Sequence, residues 1–493
     1  MNPILLVRVT YLLATTTGGG HGGRWRGATS PNSAGRGNRK IRGASVAAGR
    51  GVGRNRYTRQ GIKKRPSNAS NGESKQEELH PLPPLTEPNG SRPSYFTCRH
   101  NYENTLIDEI QRYARISGGE VMASSPYPGL VRVEDDKDLL PTLYDPVYAL
   151  QSMPHCAVVE AESIKGIARE VIAALLSDDG ANIDEKSEAQ SQRLRMAKRG
   201  SLIIHPLVPG MCKGQTSPFW LHRSEKIGEE LSKMLKKSYP AARKAAPDSD
   251  GNGTQPNERW MLQMMLQSPS IAAASLVQCQ HVGQGRDATW PNSLHPLGMA
   301  RVDIEERMPS SAYRKLMEGL ECMGVGPSRE ATVVDLGASP GGWTAAVRRC
   351  FGCRVIAVDR SEVDPALMRD GMVDFVQGDA FSFEPPRELR DDLWMISDVI
   401  AYPERATELL SRWCGEKWAS NMIVTMKFQG DEPDLDELDR AASIVKECGY
   451  HCRVKHFFNN KNEVTFMVSE KNGERERNDL EKGAVGNPMF SAL

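Results

Sequence analysis

The stretch VVDLGASPGGW, Val333 to Trp343, decides between two enzyme classes. Gly337 to Gly341 spell G-x-S-x-G, the elbow that presents a nucleophilic serine in α/β-hydrolases. The same residues are also an apolar strand, a glycine turn and a helix start, the arrangement in which a nucleotide-like cofactor meets the ends of parallel strands. An elbow uses the backbone N–H of the residue after the serine as an oxyanion donor, and here that residue is Pro340, which has no N–H. It also needs an acid and then a histidine downstream, and only His451 and His456 follow, both on a predicted edge hairpin. The dinucleotide fingerprint G-x-G-x-x-G fits no better, because Ser339 replaces its middle glycine and no Walker lysine follows. What remains is a cofactor cradle made of Gly337, Ser339, Pro340, Gly341 and Gly342, with Trp343 as a wall.

Outward from this turn the chain alternates. Strands TVVDLG, RVIAVD, DFVQGD, LWMISDV and MIVTMKF are separated by helical stretches after Gly341, around Ala366, from Glu404 to Lys417 and from Leu435 to Cys448. This rhythm predicts an α/β fold with a mostly parallel, doubly wound sheet. HCRVKHFF and EVTFMVS, joined by NNKN, follow with no helix between them and predict a closing antiparallel hairpin. Asp335, Asp359, Asp379 and Asp398 each end a strand, and strand ends line one crevice in such a sheet. A single Asp in such a place is more often a cap or turn residue, but four in succession point to a ligand. Asp359, ending the second strand, is placed to accept hydrogen bonds from ribose hydroxyls.

VVDLGASPGGW followed by AVDR, QGDAF, SDV, MKF and NEVTFMV resembles the FtsJ-like (RrmJ-type) RNA 2'-O-methyltransferases, most closely the RlmM-type 23S ribosomal RNA branch. The resemblance implies a Rossmann-like methyltransferase domain over 301–470, with a seven-stranded sheet and S-adenosyl-L-methionine as cofactor. It carries the family's Lys-Asp-Lys-Glu set onto Lys315, Asp398, Lys427 and Glu463, with Lys427 matching the general base. It also implies cofactor contacts at the cradle residues, Trp343, Asp359, Asp379 and Asp398. Burial at a strand end and a neighbouring Lys315 would both favour the neutral amine that a base needs. Asp398 and Glu463 would hold the two lysines. Taken singly, Lys427 reads as a snorkelling edge residue and Lys315 as part of a solvated helix face. Ser339 and Ala312 depart from the residues usual in the family, which bears on cofactor contacts rather than on the reaction. Rival readings are a base or small-molecule methyltransferase on the same scaffold, and a catalytically silent RNA-binding or ribosome-assembly factor.

The rest of the 493-residue chain sets the context. Residues 1–72 hold 14 of the 63 Lys and Arg and none of the 62 acidic residues, which leaves the remainder net acidic despite an overall charge of +1. This Gly/Arg/Ser-rich arm cannot bury a core. It reads as an organellar transit peptide, mitochondrial before plastid, with an RNA-binding arm or a cytoplasmic protein as the alternatives. Residues 73–93 read as a linker, 94–300 as an α+β RNA-binding region in two possible subdomains, and 471–493 as a frayed tail. For 94–300 the resemblance implies ferredoxin-like and THUMP-like parts. Polar inserts at 179–200 and 240–258 read as surface loops. Because the folded part is acidic, RNA contact must come from local patches, for which RLRMAKRG (193–200) and KMLKKSYPAARK (233–244) are candidates. The ten cysteines include one C-x-x-C, Cys350 to Cys353, with no second half for a zinc site. Apolar runs are too short or interrupted for a membrane span. The expected partner is thus RNA, 23S-like ribosomal RNA in particular, with no metal, no membrane and a monomeric chain.

Overall fold

In the computed structural model of the chain, the described residues are 92–140, 144–176, 201–210, 218–238, 259–280, 293, 295–302, 305, 307–430 and 432–470. All of them fall within one unit by their contacts. The basic arm, nearly all of the linker, the two polar inserts and the C-terminal tail lie outside the described residues.

The first layer consists of β1 (Ser94–Thr97), α1 (Glu103–Ile116), β2 (Met122–Tyr127), β3 (Leu130–Glu134) and β4 (Gln151–Met153). Its sheet runs β2-β3-β1-β4 with antiparallel neighbours, a split β–α–β arrangement. A second layer follows: β5 (Ala157–Glu160), α2 (Ile164–Leu176), β6 (Ser201–Leu207), α3 (Pro218–Ser238), β7 (Arg259–Leu266) and β8 (Ile271–Gln280), ordered β5-β8-β7-β6. Ile167 and Val171 of α2 and Ile227 and Leu231 of α3 are fully buried against this sheet. Helix α3 starts at Pro218. Proline is favoured in a first helical turn, and Trp220 and Ser224 extend the buried i, i+4 row of Ile227 and Leu231 backwards. Strands β4 and β5 have three and four residues, too few to show alternation, and escape a reading by pattern.

The last third holds α4 (Tyr313–Met323), β9 (Thr332–Leu336), α5 (Gly342–Phe351), β10 (Arg354–Asp359), β11 (Val373–Gln377), β12 (Leu393–Ser397), α6 (Pro403–Gly415), β13 (Asn421–Lys427), α7 (Leu435–Glu447), β14 (Tyr450–Lys455) and β15 (Glu463–Glu470). Its sheet runs β11-β10-β9-β12-β13-β15-β14, parallel up to β13 and antiparallel at β15. The closing hairpin therefore inserts its second strand between β13 and β14. The chain passes from β9 to β10 on one side and returns to β12 on the other, so the topological switch point lies at β9. The helical stretch around Ala366 is a single 3-10 turn, Pro365–Met368, with no buried residue, because no apolar stripe extends it.

One apolar cluster joins the first layer to this sheet: Phe96, Leu106, Ile110 and Tyr148 pack with Leu410, Trp413, Val454 and Phe466. Polar contacts reinforce it. Asp145 receives Arg453 Nε and Lys455 Nζ, each at 2.8 Å, and His456 N donates to Val147 O at 2.8 Å. Burial alone would raise the Asp145 carboxyl, but Arg453 and Lys455 more than offset it and hold the group below its ordinary range. The sequence reading sets 94–300, in two possible subdomains, apart from the last third. The structure has two sheets there, and the first of them shares a core with the last third.

Candidate active site

Four elements deliver four charged side chains to the strand ends beside β9. Lys315 stands in the first turn of α4, Asp398 one residue past β12, Lys427 at the end of β13 and Glu463 at the start of β15. Antiparallel register sets Lys427 directly opposite Glu463. Lys315 is 7% exposed, and its Nζ lies 2.8 and 2.9 Å from the two Asp398 oxygens and 2.9 Å from Glu463 Oε1. Lys427 Nζ lies 2.6 Å from the Asp398 carbonyl and 3.1 Å from its Oδ1. Both amines thus meet one carboxylate oxygen, and two lysines face two carboxylates. Buried charges are tolerated only when paired in this way. A lysine at a strand end would ordinarily snorkel to water. Here Lys427 turns back onto the backbone of the neighbouring strand.

Thr425 belongs to the same site and escaped the sequence reading. Its hydroxyl donates to Asp398 Oδ1 at 2.7 Å, so that oxygen has two hydrogen-bond donors, Thr425 and Lys315, and the Lys427 amine at 3.1 Å. The signal was present, since residues two apart on a strand share a face and Thr425 precedes Lys427 by two.

The glycine turn is laced to β10. Gly337 N and Ala338 N donate to Val358 O, Ser339 N donates to Asp359 Oδ2 at 3.0 Å, and Asp364 N donates to Pro340 O. Ser339 Oγ donates to the Glu362 carbonyl at 3.0 Å, so the hydroxyl serves the turn. Gly337 and Gly341 have φ of +78° and +108°. A Cβ would lie 2.9 Å from Val399 Cα at Gly337, 2.4 Å from Leu367 Cδ1 at Gly341 and 2.2 Å from Ser310 Oγ at Gly342. The requirement for glycine therefore comes first from the protein's own packing. Trp343 is buried, and its indole N–H donates to Ala312 O at 2.9 Å, tying α5 to the residue that precedes α4.

The strand-end carboxylates fall into two groups. Asp335 is 1% exposed, one residue short of the end of β9, and receives the Thr344 hydroxyl at 2.6 Å. Burial, with Asp398 and Asp359 adding repulsion, pushes it up to about 7. It is a buried strut rather than an open crevice residue, contrary to its reading as one of four lining carboxylates. Asp359, Asp379 and Asp398 stay partly open. Asp359 also receives Ser361 N at 2.8 Å, and Asp379 lies 3.2 Å from Arg360. Partly open carboxylates at three strand ends around a turn that admits no side chain suit a ligand with ribose hydroxyls and a positive charge.

Other candidates fall elsewhere. Burial pushes the thiols of Cys350 and Cys353 up to about 11, which disfavours the thiolate that metal or redox chemistry needs. Among the described residues no group of three His, Cys, Asp or Glu is placed to hold a metal, and no helix is long and apolar enough to cross a membrane. Of the basic patches, Lys233 pairs with Glu230 at 2.7 Å, while 193–200 and 239–244 lie outside the described residues.

A family model, the FtsJ-like methyltransferase, matches residues 308–412, which include Lys315, the glycine turn and Asp398. Curated relatives named ribosomal RNA large subunit methyltransferase M are similar to the chain. That of Shewanella sediminis is 32% identical over 191 residues, 36% of this chain and 52% of its own. That of Shewanella denitrificans is 33% identical over 186 residues, 35% and 50% respectively. That of Halorhodospira halophila is 27% identical over 277 residues, 56% and 75%. Over its matched part the chain thus spans about half the length of the first of these relatives. Residues 308–412 are therefore an FtsJ-like methyltransferase domain, built on the sheet whose strand ends carry Asp398, Lys427 and Glu463, with Lys315 reaching them from α4.

Proposed function

We propose that the chain transfers the methyl group of S-adenosyl-L-methionine to a ribose 2'-hydroxyl of RNA, on large-subunit ribosomal RNA, with Lys427 as general base. The observation that carries this reading is the Asp398 carboxylate held between the amines of Lys315 and Lys427, with Glu463 paired to Lys315. The family to which the domain belongs uses this cofactor, and the relatives are named for ribosomal RNA methylation.

The cofactor supplies a methyl group on a sulfonium centre. Gly337, Ser339, Pro340, Gly341 and Gly342 would hold it through backbone, Asp359 and Asp379 through hydroxyl and amine contacts, and Asp398 through its charge; Trp343 would support the wall from behind. When bound, the sulfonium would give up its methyl group to the substrate oxygen and leave as a neutral thioether, and the Lys427 amine would accept the proton of that substrate hydroxyl. Lys315 and Glu463 fix Asp398, and Asp398 fixes Lys427, so the base has one position before substrate arrives. The first α+β layer and its neighbour would guide RNA to this face. The acid-free arm at 1–72 supports import into an organelle, which sequencing the N-terminus of the mature protein would test.

The test is methyl transfer from labelled S-adenosyl-L-methionine to ribosomal RNA, with mapping of 2'-O-methyl sites. Lys427→Ala should lower kcat by about 10²–10⁴-fold, the usual share of general base catalysis, with cofactor affinity by calorimetry retained. Undiminished transfer by Lys427→Ala, or label on a base instead of a ribose, would replace this reading by that of another methyltransferase. Absent cofactor binding would favour a silent RNA-binding factor.

A further inference from the structure

We propose that Arg99 and Tyr102, which follow β1 in the first layer, are positioning residues for methyl transfer: they clamp the backbone of Lys461 at its carbonyl and thereby set the carboxylate of Glu463 against Lys315. This rests on the functional reading above.

The clamp is a continuous chain of contacts. Lys461 O receives Arg99 Nη1 at 3.3 Å, the Tyr102 hydroxyl at 3.0 Å and His456 Nε2 at 2.8 Å. On the other side of the same residue, Lys461 N donates to Glu463 Oε1 at 3.2 Å, the oxygen that lies 2.9 Å from Lys315 Nζ. One residue, through the two peptide groups that flank its Cα, therefore links two first-layer side chains to the charged cluster. Its neighbours are equally fixed. Asn462 Nδ2 donates to Phe428 O and Gly430 O, and Phe428 N donates to Asn462 O, which binds the turn to the strand end that carries Lys427. The Tyr102 ring belongs to a three-ring cluster, 4.1 Å from the His456 ring and 5.9 Å from that of Tyr148, which lie 5.1 Å from each other. Burial pushes His456 down to about 3, so it stays neutral and offers Nε2–H to the carbonyl over the working pH range.

A loop between two strands would ordinarily leave a carboxylate at the start of the second free to sample rotamers. Glu463 here is buried, accepts from Lys461 N and is ion-paired with Lys315, and a three-donor carbonyl two residues earlier removes the slack. Placement errors well under an ångström matter for a base that must meet a hydroxyl in line. The first layer, read as a guide for RNA, would thus also complete the catalytic geometry.

Tyr102→Phe keeps both ring contacts and removes only the hydroxyl, while Arg99→Ala removes the other first-layer donor. Each should lower kcat about tenfold, with KM for ribosomal RNA, cofactor affinity and thermal midpoint close to wild type, and Arg99→Lys, which retains a donor, should recover part of the loss. Hydrogen exchange of the intact chain should rise at 459–463 in both variants. Unchanged kcat in Tyr102→Phe, unchanged exchange at 459–463, or a loss of Arg99→Ala confined to KM for RNA would overturn the proposal, the last by making Arg99 an RNA contact. Lys427→Ala run beside them separates the two levels. If it transfers methyl groups like wild type, the functional reading fails and takes the catalytic role of the clamp with it, whereas slow Lys427→Ala with full-speed Tyr102→Phe sinks the clamp alone.

Discussion

Asp398 is the residue on which the cluster turns. Its side chain accepts from Lys315 and Thr425 and lies 3.1 Å from the Lys427 amine, and its carbonyl accepts from Lys427. The serine of the glycine turn has no comparable connections, and this contrast can be tested. Ser339→Ala removes the bond to the Glu362 carbonyl, which should cost about 1 kcal/mol of stability and leave methyl transfer largely intact. Gly341→Val places a branched side chain where φ is +108° and where even a Cβ would lie 2.4 Å from Leu367 Cδ1. It should destabilise by about 1–3 kcal/mol and abolish cofactor binding in calorimetry. A Ser339→Ala chain as inactive as Lys427→Ala would return the serine to the chemistry.

At the scale of elements, the join between β14 and the first layer rests on Asp145. Two cations, Arg453 and Lys455, converge on it from the same strand, and Arg453 also reaches Cys322 Sγ on α4 at 2.8 Å. Asp145→Asn would leave both without their anion in a buried setting, at about 3–5 kcal/mol, and chemical denaturation should show the loss. Asp145→Asn at wild-type stability would mean that water reaches the pair. Nothing in the sequence announced this contact. The parallel strands β9 to β13 were legible because each is an apolar run closed by a polar residue, and Lys427 stood out as a charge ending such a run. Setting Lys427 opposite Glu463 depends on the register between β13 and β15, which are separated in the chain by α7 and β14, and pattern alone does not set it. Arg99, Tyr102 and Asp145 lie more than 300 residues from the partners they meet. No local periodicity encodes such a contact, and each alone looks like an ordinary surface residue. Lys315 was found through family resemblance, since its own helix gives no reason to separate it from Arg314.

For the whole molecule, the buried titratable groups set how stability depends on pH. Glu318 is a buried carboxylate on α4, holding Phe458 N, Asn459 N and Asn459 Nδ2 at 3.0, 3.1 and 2.8 Å, and burial pushes it up to about 7. Burial likewise pushes Glu109 and Asp335 up to about 7. Between about pH 4.5 and 7 these three keep protons in the folded chain that the unfolded chain has released, so stability falls as pH rises, by about 1.4 kcal/mol per unit for each group. His295 acts in the same sense from pH 6.5 upward. Burial lowers it, but its bond to Glu321 more than compensates, so the folded chain holds that proton longer. His456 opposes: burial pushes it down to about 3, so between pH 3 and 6.5 the unfolded chain binds a proton the folded chain refuses, and stability rises with pH there. Three carboxylates outweigh one histidine above pH 4.5. The thermal midpoint should therefore be higher at pH 5 than at pH 8. Glu318→Gln, which cannot ionise, should shrink that difference by removing one of the three contributions. A midpoint that climbs from pH 5 to pH 8, or a Glu318→Gln chain with the full wild-type difference, would show that these carboxylates are ionised and solvated in the folded protein.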